Sequence, residues 1–431
     1  MRLLLMADGK NNIPDDTYAK YRPFILQLID KKIILESSEP VESSEDWFVY
    51  YSNRFIESVF FSITGCCNAR CRHCFMDACD NLLGEANTSD ILRLIDEIAD
   101  CGVQIVDITG GDPLVRKDFW QITEHLQHRG IAIRQLYTNG FLIDQAFIDE
   151  LIRRNIKPHI IISFDGLGWH DWMRGIPGAE NKVLETMRLC IKNGITVSAT
   201  LCLFKGNIPS LLKTIHCLSD LGVSVLKIGP VSDTELWIKN SCGNQLSQQE
   251  FMQTALDLLP VLISDPVPME ITWGGMYELS PNAESCRVLA AEYCDNCGKE
   301  SGDYYLCEGA RASCYITPDL RLLPCMPMTS DENYIQFPTI TEAGGFRKCI
   351  SEGLYATLIE KRVSELFEKN EVCGTCEYRF KCRGGCRASA FLGDDHDYFG
   401  TDHRQCFYWK NHYDEKIKAM IETAYSSRNN G

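Results

Sequence analysis

Between Ser58 and Gly229 the chain alternates short runs of β-branched and aromatic residues with stretches whose apolar positions recur every three or four residues. The runs Val59–Thr64, Val103–Thr109, Ile131–Tyr137, His159–Phe164, Thr196–Leu203 and Val223–Ile228 read as strands, and helical stretches follow them. In the first helix Thr88 or Ser89 is placed to cap the start, Ile91, Leu94, Ile95 and Ile98 share one face, and Gly102 follows the end. The helix before the fifth strand stops at Gly194. Such alternation builds a parallel sheet with crossover helices. Six units are too few to close an eight-stranded barrel, so the pattern predicts an open, partial (β/α)6 barrel with its chemistry at the C-terminal strand ends.

Two regions fall outside this rhythm. In residues 1–57, Tyr18, Tyr21, Phe24, Ile25, Leu26, Leu28 and Ile29 predict a helix before the β-prone Lys32-Ile33-Ile34-Leu35, and a polar stretch from Ser37 to Asp46 follows. We read this segment as an N-terminal appendage, residues 58–235 as the barrel, 236–300 as a bridging region, and 301–431 as a separate cysteine-rich domain. Beyond Glu284 the chain holds twelve of its 22 cysteines and loses the strand-helix rhythm, as expected of a loop-rich domain held together by metal.

Charge and composition narrow the classes. A net charge of -16 over 431 residues repels polyphosphate, which argues against a nucleic-acid partner. No uncharged apolar stretch is long enough to span a bilayer, and the run Leu3–Met6 is too short for a signal-peptide core. The expected compartment is therefore the cytoplasm, where 22 cysteines point to metal ligation before disulfides.

The spacing of those cysteines carries the chemistry. Directly after the first strand stands Cys67-Asn68-Ala69-Arg70-Cys71-Arg72-His73-Cys74, a C-x3-C-x2-C loop. Three thiolates can hold a 4Fe-4S cluster and leave one iron open to a ligand. A zinc loop lacking its fourth ligand is the alternative reading. Cys66, Cys79, Cys101, Cys190, Cys202 and Cys217 stand outside this spacing and read as small packing residues. The second strand leads into Thr109-Gly110-Gly111-Asp112-Pro113-Leu114, where paired glycines permit close backbone approach. Thr138-Asn139-Gly140 follows the third strand, and Ser163-Phe164-Asp165-Gly166 the fourth, with Ser163 and Asp165 on one face.

The loop at this position resembles the radical S-adenosylmethionine (SAM) superfamily. That resemblance implies a SAM-cleaving 4Fe-4S cluster on Cys67, Cys71 and Cys74. It also implies SAM contacts from Gly110, Gly111, Asp112, Asn139, Ser163 and Asp165, with Asp112 standing where the family usually has Glu. His170-Asp171 and Arg174-Gly175 resemble the HDxxRG stretch of members with a C-terminal SPASM domain. A surface salt bridge is an equally simple role for Arg174.

The C-terminal pattern Cys373-x2-Cys376-x5-Cys382-x3-Cys386, followed by Cys406 and preceded by Cys307, Cys314 and Cys325, resembles the SPASM arrangement of two auxiliary clusters. The resemblance assigns Cys307, Cys314, Cys325 and Cys386 to one cluster and Cys373, Cys376, Cys382 and Cys406 to the other. The family usually places Gly five residues before the cysteine matched by Cys325, where this chain has Leu320, and Cys294-x2-Cys297 offers a substitute ligand. Zinc ribbons are the competing reading of such pairs.

Together these likenesses imply a partial (β/α)6 TIM-like barrel with a loop-rich, iron-sulfur-binding SPASM domain, three 4Fe-4S clusters and SAM as cofactors. The implied reaction is reductive SAM cleavage to a 5'-deoxyadenosyl radical that removes hydrogen from a peptide or protein substrate, served by a flavodoxin- or ferredoxin-type electron donor. Maturation of a ribosomally made peptide is the expected role. Sulfatase maturation fits less well, because those enzymes carry Asp where Met326 stands and begin the cluster loop nearer the N-terminus. Small-molecule or tetrapyrrole chemistry and a non-enzymatic zinc module complete the alternatives. Peptide-maturing relatives often bind a leader through an N-terminal domain, so residues 1–57 either close the barrel or form a reduced version of that element.

Overall fold

Each parallel strand here is apolar on the face that meets the helices. In β1 (Ser58–Ser62) Val59 and Phe61 are fully shielded, and in β2 (Ile105–Thr109) Val106 and Ile108 are likewise. The computed structural model describes residues 13–30, 34, 36–37, 56–289, 304–393 and 396–430. The chain divides into two compact units, Met1–Ser52 and Asn53–Gly431.

In the first unit the expected helix forms as α1 (Asp15–Asp30), burying Ile25 and Leu28 and exposing Tyr21, Phe24 and Leu26. The strand expected at 32–35 and the polar stretch after it fall almost wholly outside the described residues.

In the second unit all six expected strands occur. β1 and β2 are followed by β3 (Ala132–Thr138), β4 (His159–Ser163), β5 (Val197–Leu203) and β6 (Val225–Pro230), each parallel to the next. The intervening helices are α2 (Thr88–Asp100), α3 (Phe119–His128), α4 (Gln145–Arg153), α5 (His170–Arg174), α6 (Ala179–Lys192) and α7 (Leu211–Leu221). The first cap differs from expectation: Asn87, not Thr88 or Ser89, accepts the Asp90 N–H at 2.9 Å. Thr88 instead donates to Asp118 and Ser89 to Asn87.

Two parallel strands extend the sheet beyond the repeat. After α8 (Glu235–Asn240) and α9 (Gln248–Ser264), β7 (Glu270–Trp273) pairs with β6, and the antiparallel β8 (Tyr277–Leu279) and β9 (Cys286–Val288) continue that edge. At the other edge β10 (Ser313–Ile316) runs parallel to β1 and carries the antiparallel β11 (Leu322–Leu323). The order β11-β10-β1-β2-β3-β4-β5-β6-β7-β8-β9 is an open, curled sheet. The cysteine-rich segment therefore supplies a strand to the barrel sheet itself. No helix among the described residues is long and apolar enough to cross a membrane.

Candidate active site and cysteine sites

The cluster loop is anchored at its root. Arg116, buried, donates from Nη1 to the carbonyls of Ile63 at 2.6 Å and Ala86 at 3.0 Å, fixing the end of β1. Its Nε and Nη2 grip Asp118 at 2.8 and 2.7 Å, which holds the Asp118 carboxyl down at about 2. Beyond this root Cys67, Cys71 and Cys74 converge. Burial pushes the Cys67 thiol up to about 12, reinforced by Asp112, Cys71 and Cys74, and burial raises Cys74 as well. Neutral thiols at this spacing want a cation to replace their protons. Donors already face the sulfurs: Arg174 Nη1 lies 3.5 Å from Cys71 Sγ and Asn139 Nδ2 3.7 Å from Cys67 Sγ. The donor set fits an iron-sulfur cluster with one iron open.

The glycine loop after β2 packs directly on this one. Gly111 N donates to Thr64 O and Asp112 N to Cys66 O, both at 2.9 Å. A Cβ on Gly111 would stand 2.2 Å from Cys66 O, and one on Gly110, at φ +148°, 2.5 Å from Thr64 O. The glycines are thus required for contact between two backbones, whereas the sequence suggested approach to a ligand. Asp112 is fully buried and accepts from Thr138 Oγ1 at 2.8 Å, Asn139 N at 2.8 Å and Leu114 N at 3.0 Å. It thereby sets Asn139, whose Nδ2 donates to Asn68 Oδ1 at 2.6 Å inside the cluster loop.

Ser163 ends β4 half-buried, while Asp165, just beyond, has no exposed surface. Arg174 Nε lies 2.7 Å from Asp165 Oδ2, and His170 Nδ1 3.6 Å from it. Burial alone would raise the Asp165 carboxyl, but Arg174, His170 and His73 outweigh it and keep the group ionised well below the usual range. Arg174 is accordingly a buried residue and not a surface one. Its stretch docks on the cluster loop: Arg70 N donates to Arg174 O at 3.1 Å and Arg72 N to Met173 O at 2.9 Å. Gly175, at φ +68°, leaves only 2.6 Å between a would-be Cβ and Arg70 O.

None of the described cysteines is in a disulfide. In the C-terminal region Cys373, Cys376, Cys382 and Cys406 gather: Cys373 feels Cys376, Cys382 feels Cys406 and Cys373, and Cys406 feels Cys373 and Cys376. Burial is the main cause that raises the Cys373, Cys382 and Cys406 thiols, taking Cys382 to about 12. Asn370 caps the turn by accepting from Cys373 N at 3.0 Å, and Asp402 Oδ2 accepts from Cys386 N at 2.7 Å, joining the quartet to its neighbour site. Cys307, Cys325 and Cys386 form that second group.

Cys314 does not join them, which corrects the four-cysteine grouping drawn from sequence. It sits in β10 opposite Val59, 1% exposed, in the core beneath α2, and the neighbouring thiol it feels is Cys349. Strand alternation explains this: Tyr315 faces the side of Cys325, so Cys314 faces the other. Cys294 and Cys297 lie outside the described residues.

Three features were not read from the sequence. His73, Asp165 and Cys202 bring ligand atoms within 4.8 Å of one another, with burial lowering His73 to about 4 and raising Cys202 to about 12. Cys202 had been read as packing alone. On the concave face of the sheet, Arg134 pairs with Asp107, its Nε at 3.0 Å, beside Tyr137, whose hydroxyl donates to Gln135 at 2.8 Å. Lys227 projects exposed from β6 between buried Leu226 and Ile228 and makes no ion pair among the described residues. The curl of the sheet brings it within Coulombic reach of Cys325, although β6 and β11 stand far apart in strand order. Alternation along β6 was the signal that could have found it.

Residues 61–218 match the Radical SAM superfamily, so the chain carries a radical SAM domain. It is 22% identical over 337 residues to the AdoMet-dependent heme synthase of Methanosarcina barkeri, covering 77% of this chain and 91% of that protein. It is 24% identical over 320 residues to the PqqA peptide cyclase of Granulibacter bethesdensis, covering 71% and 75%. The fold matches Streptococcus suis SuiB bound to precursor peptide SuiA with a TM-score of 0.63 at 13% identity, covering 91% of this chain and 89% of that one.

Proposed function

We propose that this enzyme cleaves SAM at Cys67, Cys71 and Cys74 and uses the resulting radical to modify a ribosomally made peptide in the cytoplasm. The observation that carries this reading is the concave face, where Arg134, held by the buried Asp107, stands with Gln135, Tyr137 and Lys227 on an unclosed sheet with groups suited to a polar, extended chain. The peptide cyclase relative and the fold shared with a peptide-bound structure support it.

When bound, the four-iron cluster supplies the electron that breaks a carbon-sulfur bond of SAM. Asn139 and Ser163 would face the methionyl and ribose parts of SAM, with Gly110 and Gly111 holding the neighbouring loop against Thr64 and Cys66. Asp112 and Asp165 act behind them, Asp112 by fixing Asn139 and Asp165 by holding Arg174 against Cys71. Cys373, Cys376, Cys382 and Cys406 would hold one auxiliary cluster, and Cys307, Cys325 and Cys386 the thiolate part of another, with a flavodoxin- or ferredoxin-type donor supplying electrons.

Anaerobically purified protein is expected to be brown, with about twelve irons per chain. Replacing Cys67, Cys71 and Cys74 together with Ala should remove about four of them and abolish 5'-deoxyadenosine formation while the auxiliary sites stay loaded. Incubation with SAM, reductant and a short peptide encoded beside the gene should yield a modified peptide. Stoichiometric zinc in place of iron would sink the reading.

A second reading, radical chemistry on a tetrapyrrole, is favoured by the likeness to a heme synthase along 91% of that protein and by two cations on the concave face suited to propionate groups. Tight binding of a propionate-bearing iron tetrapyrrole, with loss of its carboxylates on turnover, would select it over the peptide.

A further inference from the structure

Among the described residues the group formed by Cys307, Cys325 and Cys386 lacks a fourth cysteine, because Cys314 points into the core on the far side of β10. A different buried group stands at that site. The Tyr398 ring is 4% exposed and packs with Leu306, the residue before Cys307. The Tyr398 carbonyl accepts from Arg387 Nη1 at 2.9 Å, and Arg387 follows Cys386. Its hydroxyl nevertheless has no hydrogen-bond partner among the described residues. A buried phenol left unpaired costs about 1–3 kcal/mol, so such groups normally find a partner.

The charged groups that the Tyr398 hydroxyl senses are Cys307, Arg387, Cys325 and Cys386, which locates it at the three-thiolate pocket. The Tyr355 hydroxyl, by contrast, donates to Ala310 O at 2.7 Å. The Tyr315 hydroxyl also lacks a partner among the described residues, but of the three thiols it senses Cys325, whereas Tyr398 senses all three. Arg387 is itself buried, with Nε and Nη2 unpartnered, and lies near Cys307 on one side and Cys373 on the other. It is a fixed cation placed to offset the negative charge of both auxiliary sites.

We propose that Tyr398 supplies the fourth ligand, its phenolate oxygen, to the auxiliary cluster held by Cys307, Cys325 and Cys386. On cluster assembly an oxygen-iron bond forms and the phenol proton passes to solvent, as thiol protons do at the other three positions. Arg387 stabilises the resulting anion. The inference rests on the iron-sulfur reading given under the proposed function.

The test uses full-length protein purified anaerobically, with iron and sulfide counted and the visible and electron paramagnetic resonance spectra recorded. Tyr398→Phe keeps the ring and removes the oxygen. It should lose a phenolate-to-iron absorption band, hold about one iron fewer per chain, and show a new three-iron signal on oxidation. Tyr398→Cys should restore the iron and remove the band, and Cys314→Ser should change neither. Wild-type iron and spectra in Tyr398→Phe would overturn the assignment, as would loss of that iron on replacing Cys294 or Cys297 instead. If Tyr398→Phe fails to fold, Tyr398→Cys decides: a loaded auxiliary site without the band supports ligation, and a site emptied of iron counts against it. An iron-free wild-type protein would overturn the cluster reading itself, whereas an iron-replete protein indifferent to Tyr398→Phe overturns this inference alone.

Discussion

Arg174 Nε lies 2.7 Å from Asp165 Oδ2 in an ion pair shielded on both sides, and the same guanidinium reaches Cys71 Sγ through Nη1 at 3.5 Å. One side chain thus balances a buried carboxylate and faces a sulfur of the cluster loop. Removing a single partner strands a charge in a low-dielectric site, which costs about 3–5 kcal/mol, while removing both costs much less. Arg174→Met should therefore lower the denaturant midpoint sharply, and the Arg174→Met, Asp165→Leu double variant should recover part of that loss. Additive effects of the two single changes would show that the pair is not coupled.

Lys227 offers a test of the concave face. A cation that binds a substrate carboxylate equally in ground and transition states lowers KM without raising kcat. Lys227→Met is expected to raise the substrate KM about tenfold, or about 1.4 kcal/mol, with kcat close to wild type and Lys227→Arg recovering most of the loss. A fall in kcat at constant KM would place Lys227 in the chemical step instead.

The six central strands were legible because each carries a β-branched run between turn residues, and their burial follows that pattern. β7 and β10 were not, since each has only four residues and owes its place to a neighbouring edge and not to its own length. The convergence of Cys67, Cys71 and Cys74, and that of Cys373, Cys376, Cys382 and Cys406, was legible from spacing. Cys314 was misplaced because a one-residue step along a strand turns a side chain to the opposite face, and spacing carries no record of that step. Asp165 and Arg174 showed their types but not their pairing, which depends on α5 folding back over the cluster loop.

Buried thiols give the iron-free protein a pH limit. Burial takes Cys67, Cys190, Cys202, Cys325 and Cys382 from an ordinary 9.0 up to about 12. Between those values the folded chain holds protons that the unfolded chain has released, so stability is intact below 9.0 and falls as pH rises toward 12. Each such thiol contributes a slope of up to about 1.4 kcal/mol per pH unit. Apoprotein melting should therefore hold below about pH 9 and drop steeply as pH rises from about 9 toward about 12, and iron-loaded protein, whose ligand thiols have already lost their protons, should drop less. Parallel curves for the two forms would exclude Cys67, Cys325 and Cys382 as ligands.

Gly111 sets the distance between the two loops that build the active site. A methyl group there would stand 2.2 Å from Cys66 O, 2.6 Å from Cys66 C and 3.0 Å from Ala78 Cβ. Two of these atoms are backbone and cannot swing aside. The loops would have to separate, breaking the bonds from Gly111 N to Thr64 O and from Asp112 N to Cys66 O. Overpacking of this kind costs about 1–3 kcal/mol, and displacement of Asp112 would also release Asn139 from Cys67 and Asn68. Gly168→Ala is the control, because that position has φ +79° and open space around it, so only the left-handed backbone is penalised, by about 1–2 kcal/mol. Gly111→Ala should lose iron selectively from the first site, while Gly168→Ala should lower the melting temperature and keep every iron. Full iron loading in Gly111→Ala would mean that the glycine loop does not position the cluster loop.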